Sequence, residues 1–338
     1  MTSAVPAAGE QYKRVSKIGS GGFGTVYLAE DAAGRKYAVK KVNIGQARHG
    51  VDLSAVREIR ALRDIGNLRR AARERREQQG REQEGHGQEE DWEHVVELVD
   101  VFLRNGAVNI VYEYVPHCLT ELYSDAAGVL PRATLRRVMA QLLRALRYLH
   151  DVCFVVHRDI KPENVLYELR DGAPVVRLID FGSSRALPGA GVRADDVAMT
   201  PQVVTLWYRP PELLLGARAY GPAVDLWGAG CILAEMFLRR PLFPAATNSE
   251  LAQLDLILVK ALQVAHLVTP FNIEGVALHH AAIAEHARRA LGETLRAMDP
   301  AAFDATATLL SVYPPDRTTA DAVLAMDFFR DSDDDAMT

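Results

Sequence analysis

Three polar side chains that could carry out phosphoryl chemistry lie in the segment 157–164, which has the sequence HRDIKPEN. A hydroxyl that attacks a phosphoryl group needs a carboxylate to orient it and accept its proton, and Asp159 suits that role. Because charge grows on the transferred oxygens, a cation beside the base is useful, and Lys161 supplies one. Phosphates bring a metal ion that prefers hard oxygen ligands, which Asn164 offers. The alternative is a polar surface turn.

A glycine-rich segment at 19–26, with the sequence GSGGFGTV, is suited to closing over phosphates. Glycine lets the backbone approach phosphate oxygens without a Cβ in the way. Dinucleotide-binding folds use similar spacing, but there the glycines open a helix, whereas residues 25–29 are strand-like. The next strand ends at Lys40, which could grip phosphates or could be a solvated charge at a strand end.

These segments together resemble those of a eukaryotic protein kinase. The segment 157–164 resembles the catalytic loop, 19–26 the glycine-rich loop, and 37–40 (YAVK) the strand that ends in the phosphate-binding lysine. The triplet Asp180-Phe181-Gly182, which follows the apolar run 175–179, resembles the metal-binding triplet. The resemblance covers roughly residues 12–68 and 92–330.

The resemblance implies transfer of the γ-phosphate of ATP to Ser or Thr of proteins, with ATP and Mg²⁺ as cofactors. Lys161 is typical of Ser/Thr kinases, and Tyr112 would lie behind the adenine. The implied catalytic residues are Lys40, Glu58, Asp159 and Lys161; the implied metal ligands are Asn164 and Asp180; the implied nucleotide-binding residues are Gly19, Gly21, Gly24, Val26, Ala38, Lys40, Glu113, Val115 and Leu166.

The implied fold is α+β, the two-lobed protein kinase fold with a small, mainly β N-lobe and a larger, mainly α C-lobe. The domain would span 12–330, with the N-lobe at 12–115, the C-lobe at 116–330 and an acidic tail at 331–338. The charged segment 69–91 has almost no apolar residues and is interpreted as an insertion, either disordered or a solvated helical extension. We further expect strands at 94–99 and 108–115, a helix at 134–151 and a buried run at 152–156.

The segment 200–212, with the sequence TPQVVTLWYRPPE, resembles the end of the activation loop of cyclin-dependent kinases. Thr200 falls at the position of the activating phosphothreonine, which implies an upstream kinase. Gln202 stands where a mitogen-activated protein kinase has a tyrosine. Arg57, Arg158 and Arg185 would bind the phosphate, Val204 and Arg209 would form the pocket for proline after the target residue, and Glu212 would pair with Arg317.

The helix 53–59 resembles the cyclin-binding helix of that family, which implies a cyclin-type regulatory subunit and protein substrates with Ser/Thr-Pro sites. Two alternatives stay open: a cyclin-independent or MAP-kinase-like kinase of the same group, and a pseudokinase scaffold. Residues 251–310 are helical by periodicity but lack the Gly-Thr-Pro pattern expected of the family. A cell-cycle role and a transcriptional role are both compatible with the sequence.

Composition sets the remaining limits. The 338 residues carry a net charge of -5, with 49% hydrophobic and 25% charged residues, which is typical of a globular protein and argues against direct nucleic-acid binding. Three distant cysteines favour a reducing compartment over disulfides or a zinc site. No secretory signal, bilayer-spanning run or lipidation motif is present in the sequence. We therefore expect an intracellular protein of the nucleus or cytoplasm, with no membrane partner.

Overall fold

The computed structural model describes residues 9–21, 24–44, 52–78, 90–124, 130–187, 206–218, 220–262, 289, 291–295 and 298–330. They form a β-rich N-terminal lobe and a mainly helical C-terminal lobe, so the expected two-lobed α+β architecture is confirmed. The predicted boundaries at 12, 115 and 330 stay predictions. No helix among these residues is long and apolar enough to cross a membrane.

The N-terminal lobe contains a five-stranded antiparallel sheet in the order β1-β2-β3-β5-β4. Its strands are β1 (Lys13–Gly21), β2 (Gly24–Glu30), β3 (Lys36–Asn43), β4 (Leu98–Arg104) and β5 (Ala107–Glu113). Strand β5 is buried almost throughout, as its apolar sequence predicts. The β3–β5 register places Ala38 opposite Tyr112 and Lys40 opposite Ile110.

A single long helix, α1 (Leu53–Gln78), packs against this sheet and against the turn that follows Asp180. Its buried residues recur at helical spacing along one face: Ser54, Ala55, Glu58, Leu62, Ile65 and Arg69. Two apolar residues near its start, Leu53 and Val56, are instead 67% and 47% exposed. The apolar pattern that predicted the helix therefore belongs partly to the core and partly to an outward face.

The C-terminal lobe surrounds helix α5 (Ala223–Leu238), which is buried over most of its length. Gly228 lets this helix touch the catalytic segment, because a Cβ there would lie 2.6 Å from the carbonyl oxygen of Ile160. The other helices are α2 (Leu119–Ser124), α3 (Arg132–Arg147), α4 (Pro211–Leu214), α6 (Glu250–Leu262), α7 (Pro300–Leu309) and α8 (Ala320–Leu324). Short strands flank the segments 157–164 and 180–182: β6 (His117–Cys118), β7 (Val155–Val156), β8 (Val165–Arg170), β9 (Ala173–Leu178) and β10 (Arg185–Ala186).

The predicted strand at 94–99 is wrong in its position. Residues Asp91–His94 form a 3₁₀ turn, and Val95 makes only an isolated bridge to Leu178. The sheet strand begins at Leu98 and runs to Arg104. Val95 and Val96 are apolar because they are buried between the lobes, and not because they belong to an antiparallel ladder.

The interpretation of 69–91 as wholly solvated is wrong at both ends. Arg69 is buried, and its guanidinium donates to the carbonyl oxygens of Trp92 and Val95 at 2.7 and 2.8 Å. Asp91 accepts two hydrogen bonds from Arg147, at 2.8 and 3.0 Å. The helical alternative holds as far as Gln78, and residues 79–89 lie outside the described part of the chain.

The run 152–156 was expected to be buried, but only part of it is. Val152 and Phe154 are 50% and 54% exposed, and only Val155 and Val156 lie in the core. Helix α3 ends in a π-helical turn at Tyr148–Val152, and Phe154 adopts a left-handed backbone with φ of 53°. This reversal turns the first part of the run outward before β7 pairs with β10.

Candidate active site

Three charged residues that are distant in sequence meet in the cleft between the lobes. The Nζ atom of Lys40 donates to Glu58 Oε2 at 2.7 Å and lies 3.5 Å from Asp180 Oδ1. Burial alone would lower the pKa of Lys40, but the two carboxylates raise it above its ordinary value. Burial likewise would raise the pKa of Asp180, yet Lys40 holds it below the usual range. Lys40 and Asp180 are therefore both charged at neutral pH.

The second oxygen of Glu58 is also engaged. Tyr112, on β5, donates its hydroxyl to Glu58 Oε1 at 2.7 Å, and both side chains are buried. Burial, and then the neighbouring carboxylate, raise the pKa of Tyr112 well above its ordinary value, so the phenol stays protonated as a donor. The sequence placed Tyr112 behind the adenine but gave no sign of this hydrogen bond.

The catalytic segment brings its three polar side chains together. Lys161 Nζ donates to Asp159 Oδ2 at 2.7 Å. The amide nitrogen of Asn164 donates to the backbone oxygen and to Oδ2 of Asp159, at 2.8 and 3.0 Å. These contacts use only the donor side of the Asn164 amide, so its oxygen remains chemically available to a cation. The predicted base, cation and metal ligand thus form one hydrogen-bonded unit.

Asp225 of helix α5 fixes the backbone of this segment, a role that the sequence analysis missed. Its carboxylate accepts the backbone N–H groups of His157 at 2.8 Å and Arg158 at 2.7 Å, and contacts His150 Nε2 at 2.8 Å. Arg158 has a φ of 70°, a left-handed conformation that costs a non-glycine residue about 1–3 kcal/mol. Burial alone would raise the pKa of Asp225, but its contacts with His150 lower it.

The predicted metal-binding triplet, residues 180–182, is also positioned by long-range contacts. His157 Nε2 lies 2.9 Å from the carbonyl oxygen of Ile179, and its ring meets that of the fully buried Phe181 edge-on at 4.8 Å. Asp180 itself has a left-handed φ of 62° and accepts the N–H of Gly182 at 3.3 Å. These contacts link the strand before the triplet to the catalytic segment.

A cavity of about 240 Å³ opens between the lobes beside these residues. Seven of the predicted nucleotide-binding residues line it: Gly24, Val26, Ala38, Lys40, Glu113, Val115 and Leu166. Sequence reasoning missed Ile18, Val96, Tyr114 and Ile179, which also line it and which have no distinctive local signal. Gly19 and Gly21 lie on β1, opposite Val26 and Gly24 respectively.

The residues present fit ATP and Mg²⁺. Apolar walls suit a planar base, while Lys40, which also lines the cavity, suits phosphates. Gly24 has a φ of 132°, and a Cβ there would lie 2.3 Å from the carbonyl oxygen of Lys41, so a side chain is excluded. Within the described residues, no group of three or more acidic, His or Cys side chains forms a metal cage. Mg²⁺ is usually bound by one or two protein oxygen ligands together with substrate phosphates, and Asn164 and Asp180 supply such a pair.

The structure describes four of the six residues predicted to carry or bind the activating phosphate or to form the proline pocket. Arg158 donates to the Ser183 carbonyl and to the Tyr220 hydroxyl, and Arg185 lies on β10, which contacts helix α1. Arg57 is partly exposed on α1. Thr200 and Val204 lie outside the described residues. Arg209 is anchored to Glu250 Oε1 at 2.5 Å.

Comparison with known families identifies the class of protein that this fold and cleft define. The protein kinase domain matches residues 67–329, which is most of the chain. The two-lobed protein kinase fold expected from the sequence is therefore confirmed. The glycine-rich segment and Lys40 lie ahead of the matched range.

Individual relatives show to which family of protein kinases the chain belongs. The chain is 36% identical to cyclin-dependent kinase 9-B of Xenopus laevis over 336 residues, covering 94% of this chain and 80% of the relative. It is 35% identical to human cyclin-dependent kinase 9 over 331 residues, with the same two shares. It is 37% identical to the serine/threonine-protein kinase crk1 of Schizosaccharomyces pombe over 247 residues, 73% of this chain and 63% of the relative. The chain belongs to the cyclin-dependent kinase family of Ser/Thr protein kinases.

Proposed function

We propose that this kinase transfers the γ-phosphate of ATP, bound with Mg²⁺, to Ser or Thr residues followed by proline, and that a cyclin-type subunit activates it. The observation that carries the proposal is the position of Lys40 Nζ, 2.7 Å from Glu58 and 3.5 Å from Asp180 in one cleft. A pseudokinase has no need of this arrangement. We further propose that the kinase acts inside the cell, in the nucleus or cytoplasm.

Each residue of the cleft has a role in this proposal. Bound Mg·ATP supplies the electrophilic phosphorus. Lys40, fixed by Glu58, holds the α- and β-phosphates, and Asn164 and Asp180 provide oxygen ligands for the metal. Asp159 orients the substrate hydroxyl and accepts its proton, while Lys161 stabilises charge on the transferred oxygens. Their hydrogen-bonded grouping supports these roles, since little reorganisation is needed at the moment of transfer.

The outward face of helix α1 supports a protein partner. Leu53 and Val56 are large apolar residues, and both are exposed near the start of the helix that carries Glu58. A subunit that covers this face would bury apolar surface and would fix Glu58 beside Lys40. The names of the two relatives called cyclin-dependent kinase 9 indicate a cyclin as their partner. Cyclin-independent activity is the second candidate.

Proline selection is proposed on physical grounds. If the carbonyl of Val204 is turned towards Arg209, the backbone N–H of the residue after the target finds no acceptor and loses its hydration at a cost of about 1–3 kcal/mol. Proline has no N–H and avoids that cost. The ion pair with Glu250, which fixes Arg209, supports a stable pocket wall.

The test is a pair of peptides that differ only in Pro or Ala after one serine, assayed with Mg·ATP with and without added cyclin. The proposal predicts faster phosphorylation of the proline peptide by about 5- to 150-fold, which is the range that 1–3 kcal/mol sets. It also predicts stimulation by the cyclin. Equal rates for the two peptides would refute proline selection, and unstimulated but full activity would favour the cyclin-independent alternative.

A further inference from the structure

We infer that Tyr112 is a positioning residue that holds Glu58, and with it helix α1, in place beside Lys40 from inside the N-terminal lobe. The inference rests on the proposed function of the cleft. It adds a restraint from within the chain to the one that a partner would apply to Leu53 and Val56 from outside.

The hydrogen bonds of Glu58 carry the inference. Its Oε2 accepts from Lys40 on β3, and its Oε1 accepts from the Tyr112 hydroxyl on β5, both at 2.7 Å. Because Ala38 of β3 pairs with Tyr112 of β5, the two donors stand on neighbouring strands of one sheet. Helix α1 is therefore tied to this sheet at two points through one carboxylate.

Burial makes the second hydrogen bond consequential. Glu58 is 2% exposed and Tyr112 is 8% exposed, so water does not readily replace the hydroxyl. Without the hydroxyl, Glu58 Oε1 would lose its hydrogen bond from Tyr112 while remaining buried whenever α1 is in place. Moving α1 outward would relieve that cost, so loss of the hydroxyl shifts the helix away from Lys40.

Tyr112 also lines the cavity proposed to bind the nucleotide, and a role as a wall of that cavity is the competing explanation. A residue that acts only as a cavity wall would change the KM for ATP. A residue that acts through Glu58 would change kcat and the protection of α1. The Tyr112→Phe substitution keeps the ring and removes only the hydroxyl, so it separates the two roles.

The chain offers a matched control. Tyr123 also donates its hydroxyl to a buried glutamate, Glu235 Oε1, at 2.7 Å, but it lies on α2 in the C-terminal lobe. Tyr123→Phe therefore removes the same kind of hydrogen bond far from helix α1. Any general effect of losing a buried tyrosine hydroxyl appears in both variants.

The experiment compares wild-type full-length chain, Tyr112→Phe and Tyr123→Phe by hydrogen–deuterium exchange and by steady-state kinetics with Mg·ATP. In Tyr112→Phe alone, amides of α1 should exchange about 5- to 150-fold faster, and kcat should fall within the same range with a smaller change in KM. In a Glu58→Gln background, Tyr112→Phe should add little further loss of kcat.

Three results would overturn the inference: unchanged α1 exchange in Tyr112→Phe, equal acceleration in both tyrosine variants, or a change confined to the KM for ATP. The exchange measurement needs no catalytic activity. A wild-type chain that transfers no phosphate even with cyclin added would therefore refute the proposed function, while the effect of Tyr112 on α1 would still be decided.

Discussion

The carboxylate of Asp225, on helix α5, accepts the backbone N–H of Arg158 at 2.7 Å and thereby fixes the left-handed residue just before the proposed base, Asp159. The other oxygen of Asp225 accepts the N–H of His157. The core of the C-terminal lobe thus determines the backbone conformation of the catalytic segment.

Asp225→Asn should therefore reduce both stability and catalysis. The new amide presents an NH₂ group to at least one of the donors that the carboxylate satisfied, at a cost of about 1–3 kcal/mol. Misplacement of Asp159 by an ångström can cost about 100-fold in kcat. Urea unfolding and steady-state kinetics measure the two effects. Asp171→Asn, at an exposed left-handed turn position that asparagine tolerates, is the control and should change neither.

The ion pair between Glu212 and Arg317 was predicted from the sequence and is confirmed. Arg317 is fully buried and donates to both Glu212 oxygens, at 2.6 and 2.8 Å, and to three backbone carbonyls. Arg317→Ala should lower the free energy of unfolding by about 3–5 kcal/mol, because it strands a largely buried carboxylate. Arg170→Ala breaks the more exposed pair with Glu168 and should cost less than about 1 kcal/mol. Equal losses in the two variants would contradict the account.

Stability should fall in mild acid because of His94. Burial lowers the pKa of His94 from 6.5 to about 3, despite a contact with the Val176 carbonyl that raises it. Between these values the unfolded chain binds a proton that the folded chain does not, so stability decreases as pH falls below 6.5. From pH 7.5 to 5.5 this group should remove about 1.4 kcal/mol of stability.

Urea unfolding at the two pH values, in wild type and in His94→Gln, checks this prediction. His94→Gln should reduce the pH dependence by about 1.4 kcal/mol relative to wild type. A pH dependence that is the same in wild type and His94→Gln would show that His94 titrates alike in the folded and unfolded chains.

The activating phosphate is proposed to act through the arginines. A phosphate on Thr200 would carry about -1.5 to -2 charges and would form bidentate hydrogen bonds with Arg57, Arg158 and Arg185. If Thr200 acts through this cluster, Thr200→Ala combined with Arg185→Ala should be little worse in kcat than either single variant. Phosphorylation by the upstream kinase before the assay provides the reference state. Fully additive losses, or a Thr200→Ala enzyme as active as wild type, would rule out the switch.

Local sequence was sufficient to predict the polar groups that line the cleft, because each of them sits in a short pattern with its own spacing. Lys40 lies in a recognisable strand, which continues to Asn43 and does not end at the lysine as expected, and Asp180 follows another strand. Their positions could therefore be predicted although their mutual distance could not. The residues that were missed act across long sequence separations. Asp225 is 67 residues from Arg158, and Tyr112 is 54 residues from Glu58, so no local pattern links them.

The burial of individual side chains was harder to predict from the sequence than their chemical roles. Arg69 belongs to a charged, low-complexity stretch, yet it is buried, and one nitrogen of its guanidinium donates to the backbone carbonyls of Trp92 and Val95. Phe154 belongs to an apolar run, yet it is exposed because the chain reverses there. In both cases tertiary placement overrides the hydrophobicity of the segment.

The most direct test of the central claim is phosphoryl transfer by Asp159→Asn, measured in a single turnover with labelled Mg·ATP and a Ser-Pro peptide, beside nucleotide binding by the same protein. Asp151→Asn, at an exposed position eight residues earlier, serves as the control. The account predicts that Asp159→Asn binds ATP as wild type does and transfers phosphate about 100- to 10,000-fold more slowly. A transfer rate close to that of wild type would contradict it.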